Sequence, residues 1–109
     1  MGETTARGYY EAIDGGDYET FANLLAPEVV HRRPDRSVEG RETLVEFMRD
    51  GRPNKETAHE IDRVYPGGED GDVAVEGRLL DADGAELFGF VDCFAFENGR
   101  IAEIRTYTR

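Results

Sequence analysis

The sequence predicts one α+β domain in which helices cover one face of a curved, mostly antiparallel sheet. Helical periodicity of the apolar residues dominates the first half of the chain, and a period of two takes over from about Thr57. The dipeptides Asp83-Gly84 and Asn98-Gly99 then separate apolar segments, as tight hairpin turns do. Helices followed by a meander of strands indicate a helical layer packed on a sheet. A strongly bent sheet closed in this way forms a cone, whose mouth is a natural pocket for a small molecule.

Three helices are predicted in the N-terminal half. The first has an apolar stripe over residues 6–13 and ends at a pair of glycines. Asp17 is a suitable N-cap for the second, whose stripe spans residues 18–25. The third covers residues 40–50 and ends before Gly51. These stripes are the surfaces with which the helices are expected to close the cone.

Five strands are predicted from alternation and turn residues. They cover residues 28–33, 57–65, 72–81, 86–96 and 100–108. Pro34 ends the first strand, and the stretch from Pro34 to Glu39 is expected to be irregular. The last four strands follow one another directly, so they predict an antiparallel meander.

The strand predicted over residues 86–96 contains a carboxylate among phenylalanines. Because successive side chains of a strand point to opposite faces, Asp92 shares one face with Phe88, Phe90, Phe94 and Phe96. The other face is apolar too, which predicts a central strand covered on both sides. A carboxylate there is costly to ionise, and it must either find partners or stay protonated. Asp92 is therefore the first candidate for a functional side chain.

The chain is strongly acidic, with 24 Asp and Glu residues against 13 Lys and Arg residues and a formal net charge of −11. This charge repels nucleic acids and anionic membranes, so neither is expected as a partner. No apolar run approaches the roughly 18 residues that cross a bilayer, and no signal peptide is recognisable, so a cytoplasmic location is expected. Lys55 is the only lysine, and this composition resembles that of halophile proteins. A simpler interpretation is an acidic surface that keeps a small domain in solution.

Neither a metal nor an organic cofactor is expected. His31 and His59 lie on different predicted strands without the close spacing of metal ligands. Cys93 is the single cysteine, which excludes an intramolecular disulfide and a cysteine-based metal cluster. The sequence also lacks a glycine-rich phosphate-binding motif.

Three segments resemble a known family. The stretches YYEAIDGGDYETFANLLAPEVVHRRP, VEGRETLVEFM and FVDCFAFENGRIAEI resemble the nuclear transport factor 2-like superfamily, most closely its SnoaL-like branch of ketosteroid isomerase and polyketide cyclase relatives. The resemblance covers nearly the whole chain, as one domain over residues 1–109. It implies a cone-shaped, cystatin-like α+β barrel with a small organic molecule in its pocket and a homodimer formed through the open face of the sheet. Enzymes and non-catalytic proteins share this fold, so function must be argued from individual residues.

The resemblance implies the pair of residues that holds an enolate oxygen, whereas the catalytic base of the family is missing from this chain. In ketosteroid isomerase an aspartate late in the sheet and a tyrosine of the first helix hold an enolate oxygen. Asp92 and Tyr9 match these two positions, although the helical pattern alone leaves open whether Tyr9 or Tyr10 reaches the pocket. The catalytic base of that enzyme is an aspartate before a proline, and Arg33 stands there in this chain. Thr106 stands where SnoaL-type enzymes tend to carry an acidic residue.

Other candidates follow from strand alternation. His31 and Arg33 share a face of the first strand, which the family comparison directs into the pocket. Our hypothesis is that Arg33 pairs with a substrate carboxylate or with Asp92, and that His31 accepts a proton. His59, Phe90 and Phe94 are further candidates for substrate contact.

Each candidate also has a structural interpretation. Asp92 is then a buried acid bonded to Arg33 or Tyr9, and Arg33 alternatively lies in solvent at the strand end. His31 is a hydrogen-bonded wall residue, and His59 belongs to the wall or to a dimer surface.

The sequence is therefore compatible with two main functions. The first is a cofactor-independent isomerase, lyase or hydrolase that acts on a small carbonyl compound. The second is a non-catalytic module for ligand binding or dimerisation, which the two missing acidic residues favour. A protein-binding adaptor is a third possibility that only the superfamily suggests.

Overall fold

The computed structural model describes residues 2–52, 56–67 and 71–109, and it confirms the predicted α+β class. Helices and strands occur in the predicted order, with one additional short strand. The helices are α1 (Gly2–Asp14), α2 (Tyr18–Asn23) and α3 (Arg41–Glu46), which continues in a wider π-helical turn, Phe47–Gly51. The strands are β1 (Leu25–Arg32), β2 (Ser37–Glu39), β3 (Ala58–Pro66), β4 (Val73–Leu80), β5 (Glu86–Glu97) and β6 (Arg100–Thr108).

The strands form one sheet in the order β2-β1-β6-β5-β4-β3. The pairing of β1 with β6 is parallel, and the other pairings are antiparallel. The pairing register shifts between Ile61 and Arg63 of β3 and between Ala95 and Phe96 of β5. Such irregularities bend strands and increase their twist. The curved, unclosed sheet leaves a concave face that the helices cover.

The predicted boundaries on both sides of β1 were wrong, and β1 itself starts at Leu25 rather than at residue 28. Residues 34–39 are not irregular throughout, because residues 37–39 form β2 and pair with β1. A turn closed by the Arg33 N–H on the Arg36 carbonyl joins the two strands. The second helix ends at Asn23, earlier than its stripe predicts, because the chain enters β1 at Leu25, which pairs with Ile101.

The core fills the space between the helices and the concave face. The predicted stripe of α1 is buried there, with Ala6 fully inaccessible. The largest completely buried side chains are Phe21, Phe94, Leu25, Leu44, Ile101, Ile104, Val29 and Val75. Burial of apolar surface contributes about 25 cal/mol per Å², so this cluster is the main source of stability.

The outer face of the sheet is only partly covered. On β5, Val91, Cys93 and Ala95 are half-buried, whereas Phe90, Asp92 and Phe94 on the inner face are buried. The prediction that β5 is covered on both sides is therefore wrong for the single chain, because the helices occupy one face. No helix in the described ranges is long and apolar enough to cross a bilayer.

Candidate functional site

A cavity of about 270 Å³ lies inside the cone, between α1, the end of α3 and the concave face of the sheet. Its apolar wall includes Ile13, Met48, Leu79, Leu87, Phe88 and Phe90. Its polar side chains include Tyr9, His31, Arg33, Arg52, His59, Asp92 and Thr106. An open cleft of about 550 Å³ beside the start of α1 and the β5–β6 turn has Glu97 as its one ionisable lining residue among those described. The inner cavity, which is smaller, holds the groups that can do chemistry.

Asp92 is buried at the wall of this cavity, with 5% of its surface exposed. The Tyr10 hydroxyl donates to Oδ2 at 2.6 Å, and the Thr106 hydroxyl donates to Oδ1 at 2.5 Å. Burial raises the pKa of Asp92 above its usual range, because desolvation outweighs these two donors and the nearby charges of His59 and Arg33. A protonated carboxyl keeps acceptor capacity for both hydroxyls and gains one hydrogen to donate.

The two tyrosines of α1 take different positions. Tyr10 bonds to Asp92 without lining the cavity, whereas Tyr9 lines it. The Tyr9 ring packs against Phe21 and Phe94 at centroid distances of 5.4 and 5.3 Å. Within the described ranges its hydroxyl makes no hydrogen bond. Burial raises the pKa of Tyr9, so the hydroxyl stays protonated and can donate a hydrogen bond to a molecule in the cavity.

His31 extends the hydrogen-bond chain that begins at Tyr10 and Asp92. Its Nε2 lies 2.8 Å from the Thr106 hydroxyl oxygen. Since that hydroxyl donates to Asp92, its oxygen accepts from His31, and Nε2 carries the hydrogen. The other ring nitrogen, Nδ1, is buried without a partner among the described residues. Burial, together with the charge of Arg33, lowers the pKa of His31 to about 3, so the ring is neutral.

Thr106 also belongs to the site, although the sequence singled it out only as the residue that replaces an expected acid. It lies opposite Asp92 in the pairing of β5 with β6. Alternation provides the signal that could have identified it, because Thr106 follows the buried Ile104 by two positions on β6. Its hydroxyl connects the carboxyl of one strand to the imidazole of another.

Two arginines give the cavity a positive side. The Arg33 guanidinium lies 5.1 Å from the centre of the Phe47 ring and makes no ion pair with any carboxylate in the described part of the chain. Arg33 therefore does not pair with Asp92, as one expected alternative had it, and the Asp92 oxygens accept from the Tyr10 and Thr106 hydroxyls instead. Arg52, which the sequence did not single out, donates to the Met48 carbonyl at 2.7 Å at the end of the π-helical turn. Both arginines lower the pKa of Tyr9, which places their charge close to its hydroxyl.

Of the three further candidates for substrate contact, His59 and Phe90 line the cavity and Phe94 does not. His59 lines the cavity and contacts the Tyr10 and Phe90 rings at centroid distances of 4.9 and 5.6 Å. Phe90 is also part of the wall. Phe94 is not among the lining residues, because it packs in the core against Tyr9, and its contact with substrate stays a prediction. Among the residues that the structure describes, no three potential metal ligands come together.

Comparisons with known proteins agree with this architecture. A family model for the SnoaL-like domain matches residues 6–104. A candidate ketosteroid isomerase from Kribbella flavida is 22% identical, with a TM-score of 0.83, over 97% of this chain and 76% of that protein. A candidate polyketide cyclase from Sinorhizobium meliloti is 16% identical, with a TM-score of 0.81, over 95% and 94% of the two chains. An NTF2-like protein of unknown function from Burkholderia pseudomallei is 25% identical, with a TM-score of 0.81, over 99% and 90%.

A search of functionally curated proteins finds no match. The chain belongs to the SnoaL-like domain family, because the family model covers most of its length. The solved structures share its fold.

Proposed function

We propose that this member of the SnoaL-like family binds a small organic anion that contains a carbonyl group and promotes a cofactor-independent proton transfer on it. The supporting observation is that Tyr9, whose hydroxyl is unbonded within the described ranges, and the buried Asp92 carboxyl line one cavity, where both can donate a hydrogen bond if Asp92 is protonated. An isomerase, a lyase or a hydrolase uses such donors to stabilise negative charge on the carbonyl oxygen.

The polarity of the cavity favours an anionic ligand. Arg33 lines the cavity and has no carboxylate partner within the described ranges. Arg33 and Arg52 both lie on the cavity side of a chain whose net charge is −11. A guanidinium with free donors matches a carboxylate, because its planar fork can bond both oxygens. The carboxylate of the ligand would thus lie near Arg33.

The opposite part of the ligand would contact the donors and the apolar wall. Tyr9 has an unused hydroxyl, and the raised pKa of Asp92 favours the protonated form that can donate. Phe90 and Leu79 supply apolar surface beside them. A volume of about 270 Å³ lies near the lower end of the range for small-molecule sites, so it favours a small ligand.

Binding of two ketoacids of different length, 2-oxobutanoate and 4-oxopentanoate, tests this proposal by calorimetry. We expect at least one to bind, and Tyr9→Phe to weaken it by roughly two- to tenfold, because a hydrogen bond to a neutral carbonyl oxygen contributes about 0.5–1.5 kcal/mol. Arg33→Gln should weaken both. Butanoate is the matched ligand control, since it keeps the carboxylate and lacks the carbonyl.

The outcomes divide the alternatives. Butanoate binding should respond to Arg33→Gln and not to Tyr9→Phe. If neither ketoacid binds to the folded protein, the anion-binding cavity is refuted. Ketoacid binding without any exchange of carbon-bound hydrogen in D₂O would favour the second function, a non-catalytic ligand-binding module.

A further inference from the structure

The contact between His59 and Asp14 has a geometry that a simple wall residue does not need. Asp14 is the last residue of α1, and His59 is the second residue of β3. One Asp14 oxygen, Oδ1, lies 2.7 Å from Nδ1 of the ring, and the other, Oδ2, accepts the backbone N–H of His59 at 2.9 Å. A carboxylate only accepts hydrogen bonds, so Nδ1 must carry the hydrogen. The tautomer and the ring orientation are both fixed.

The opposite edge of the ring is left available to a ligand. Nε2 of His59 has no hydrogen-bond partner among the described residues. It is also not among their buried polar atoms that lack a partner, so it is accessible. In the neutral ring, hydrogen on Nδ1 leaves Nε2 with a free lone pair. Because His59 lines the cavity and Asp14 occupies the Nδ1 edge, we expect a bound molecule to meet Nε2.

We infer that His59 is the general base of the cavity and that Asp14 is its positioning residue, an inference that rests on the proposed function. Nε2 takes a proton from the carbon next to the ligand carbonyl. The electrons of that C–H bond form the C=C bond of an enolate, and the negative charge moves to the oxygen held by Tyr9 and Asp92. The proton then returns from Nε2 to carbon, which restores the base.

His31 is less suited to this role, although its strand position suggested it. Its Nε2 donates to Thr106, and its free Nδ1 is closed off from solvent. A ring whose pKa is lowered to about 3 is a weak proton acceptor at neutral pH. Asp92 accepts hydrogen bonds from two hydroxyls, and in the proposed function its carboxyl donates to the ligand oxygen, so it is not the proton acceptor.

Asp14→Asn provides a specific test because it retains both contacts. The backbone N–H of His59 can only donate, so it retains the amide oxygen of the asparagine. The amide NH₂ then faces Nδ1, which must become the acceptor, and the hydrogen moves to Nε2. The connection between α1 and β3 survives, whereas the lone pair that accepts the proton is lost. Asp62→Asn is the matched control, since Asp62 lies on the same strand and pairs with Arg78 on the protein surface.

Two measurements test the inference. Long-range ¹H–¹⁵N NMR spectra should show His59 protonated on Nδ1 in the wild type and on Nε2 in Asp14→Asn. Proton NMR in D₂O should show exchange of the hydrogens next to the ketone of the bound ketoacid, 2-oxobutanoate or 4-oxopentanoate. We expect Asp14→Asn and His59→Gln to slow this exchange at least 100-fold with binding changed less than threefold, because general bases contribute about 10²–10⁴-fold. Asp62→Asn should match the wild type in both measurements.

The results separate the two proposals. A wild-type His59 protonated on Nε2 overturns the inference without any ligand. Exchange that survives Asp14→Asn and His59→Gln overturns it as well, while the proposed function stands. If the ketoacid binds but its hydrogens do not exchange, the assignment of His59 as a general base is refuted, whereas the proposed binding site stands. Absence of binding refutes the proposed function itself, and the NMR tautomer then still decides the role of Asp14.

Discussion

Acidification should destabilise this protein through His31 by an amount that the structure allows us to work out. An unfolded histidine binds a proton below about pH 6.5. In the folded chain the pKa of His31 is lowered to about 3, because the ring is 2% exposed and close to Arg33. Between these two values the unfolded state binds more protons than the folded state. The free energy of unfolding therefore falls as the pH falls through this window.

The magnitude follows from the width of the window. One pKa unit corresponds to about 1.4 kcal/mol, and pH 4.5 lies about two pH units below the pKa of an unfolded histidine. Lowering the pH from 7 to 4.5 should therefore remove about 2.5 kcal/mol. His31→Gln removes the titration and keeps an N–H for the Thr106 oxygen. Asp92 and Arg33, the titratable groups beside the ring, are present in both proteins, so the part of their contribution that does not depend on His31 cancels in the difference.

Urea unfolding at pH 7, 5.5 and 4.5 measures this difference. We expect His31→Gln to be the less stable protein at pH 7 and to gain on the wild type by about 2.5 kcal/mol at pH 4.5. A constant difference across the three pH values would show that His31 titrates normally when folded. The neutral, buried imidazole and the chain from Asp92 through Thr106 would then be wrong.

Two other predictions concern the sheet. Gly77→Ala should destabilise the fold by about 1–3 kcal/mol in thermal unfolding, because a Cβ would collide with the Glu60 carbonyl and with Phe90, whereas Gly67→Ala, in open space, should not. Light scattering should give about twice the 12.2 kDa chain mass, and Ala95→Arg on the half-buried outer face should reduce it to the monomer. A monomeric wild type at tens of micromolar would contradict the dimer.

Most of the fold could be predicted from the periodicity of the apolar residues and from the turn residues. The bounds of β6 agree with those read from alternation and the preceding Asn98-Gly99 turn, which adopts positive φ at both residues. Such signals are local, so one sequence suffices to detect them. β2 was missed because three residues form a strand only by pairing with β1, a contact that no local pattern encodes.

The site was predictable only where it follows strand alternation. Asp92 and His31 lie on the inner face, as their neighbours indicated. Arg52 was missed because it follows the end of a helix, where periodicity gives no direction. Asp14 was missed because its contact with His59 joins residues 45 positions apart and depends on how α1 packs on β3.

The replacement of acidic residues in this cavity is better understood as a change in chemistry than as a loss. Arg33 and Thr106 occupy the two positions where the resemblance led us to expect carboxylates, and neither can accept a proton at neutral pH. Arg33 instead adds a positive charge beside the Tyr9 hydroxyl, and Thr106 bonds to the carboxyl that remains. A base with a negative charge would compete with an anionic ligand for the arginine, whereas an imidazole never carries a negative charge. A base on β3, held by a carboxylate outside the cavity lining, therefore suits the anionic ligand that the arginines favour.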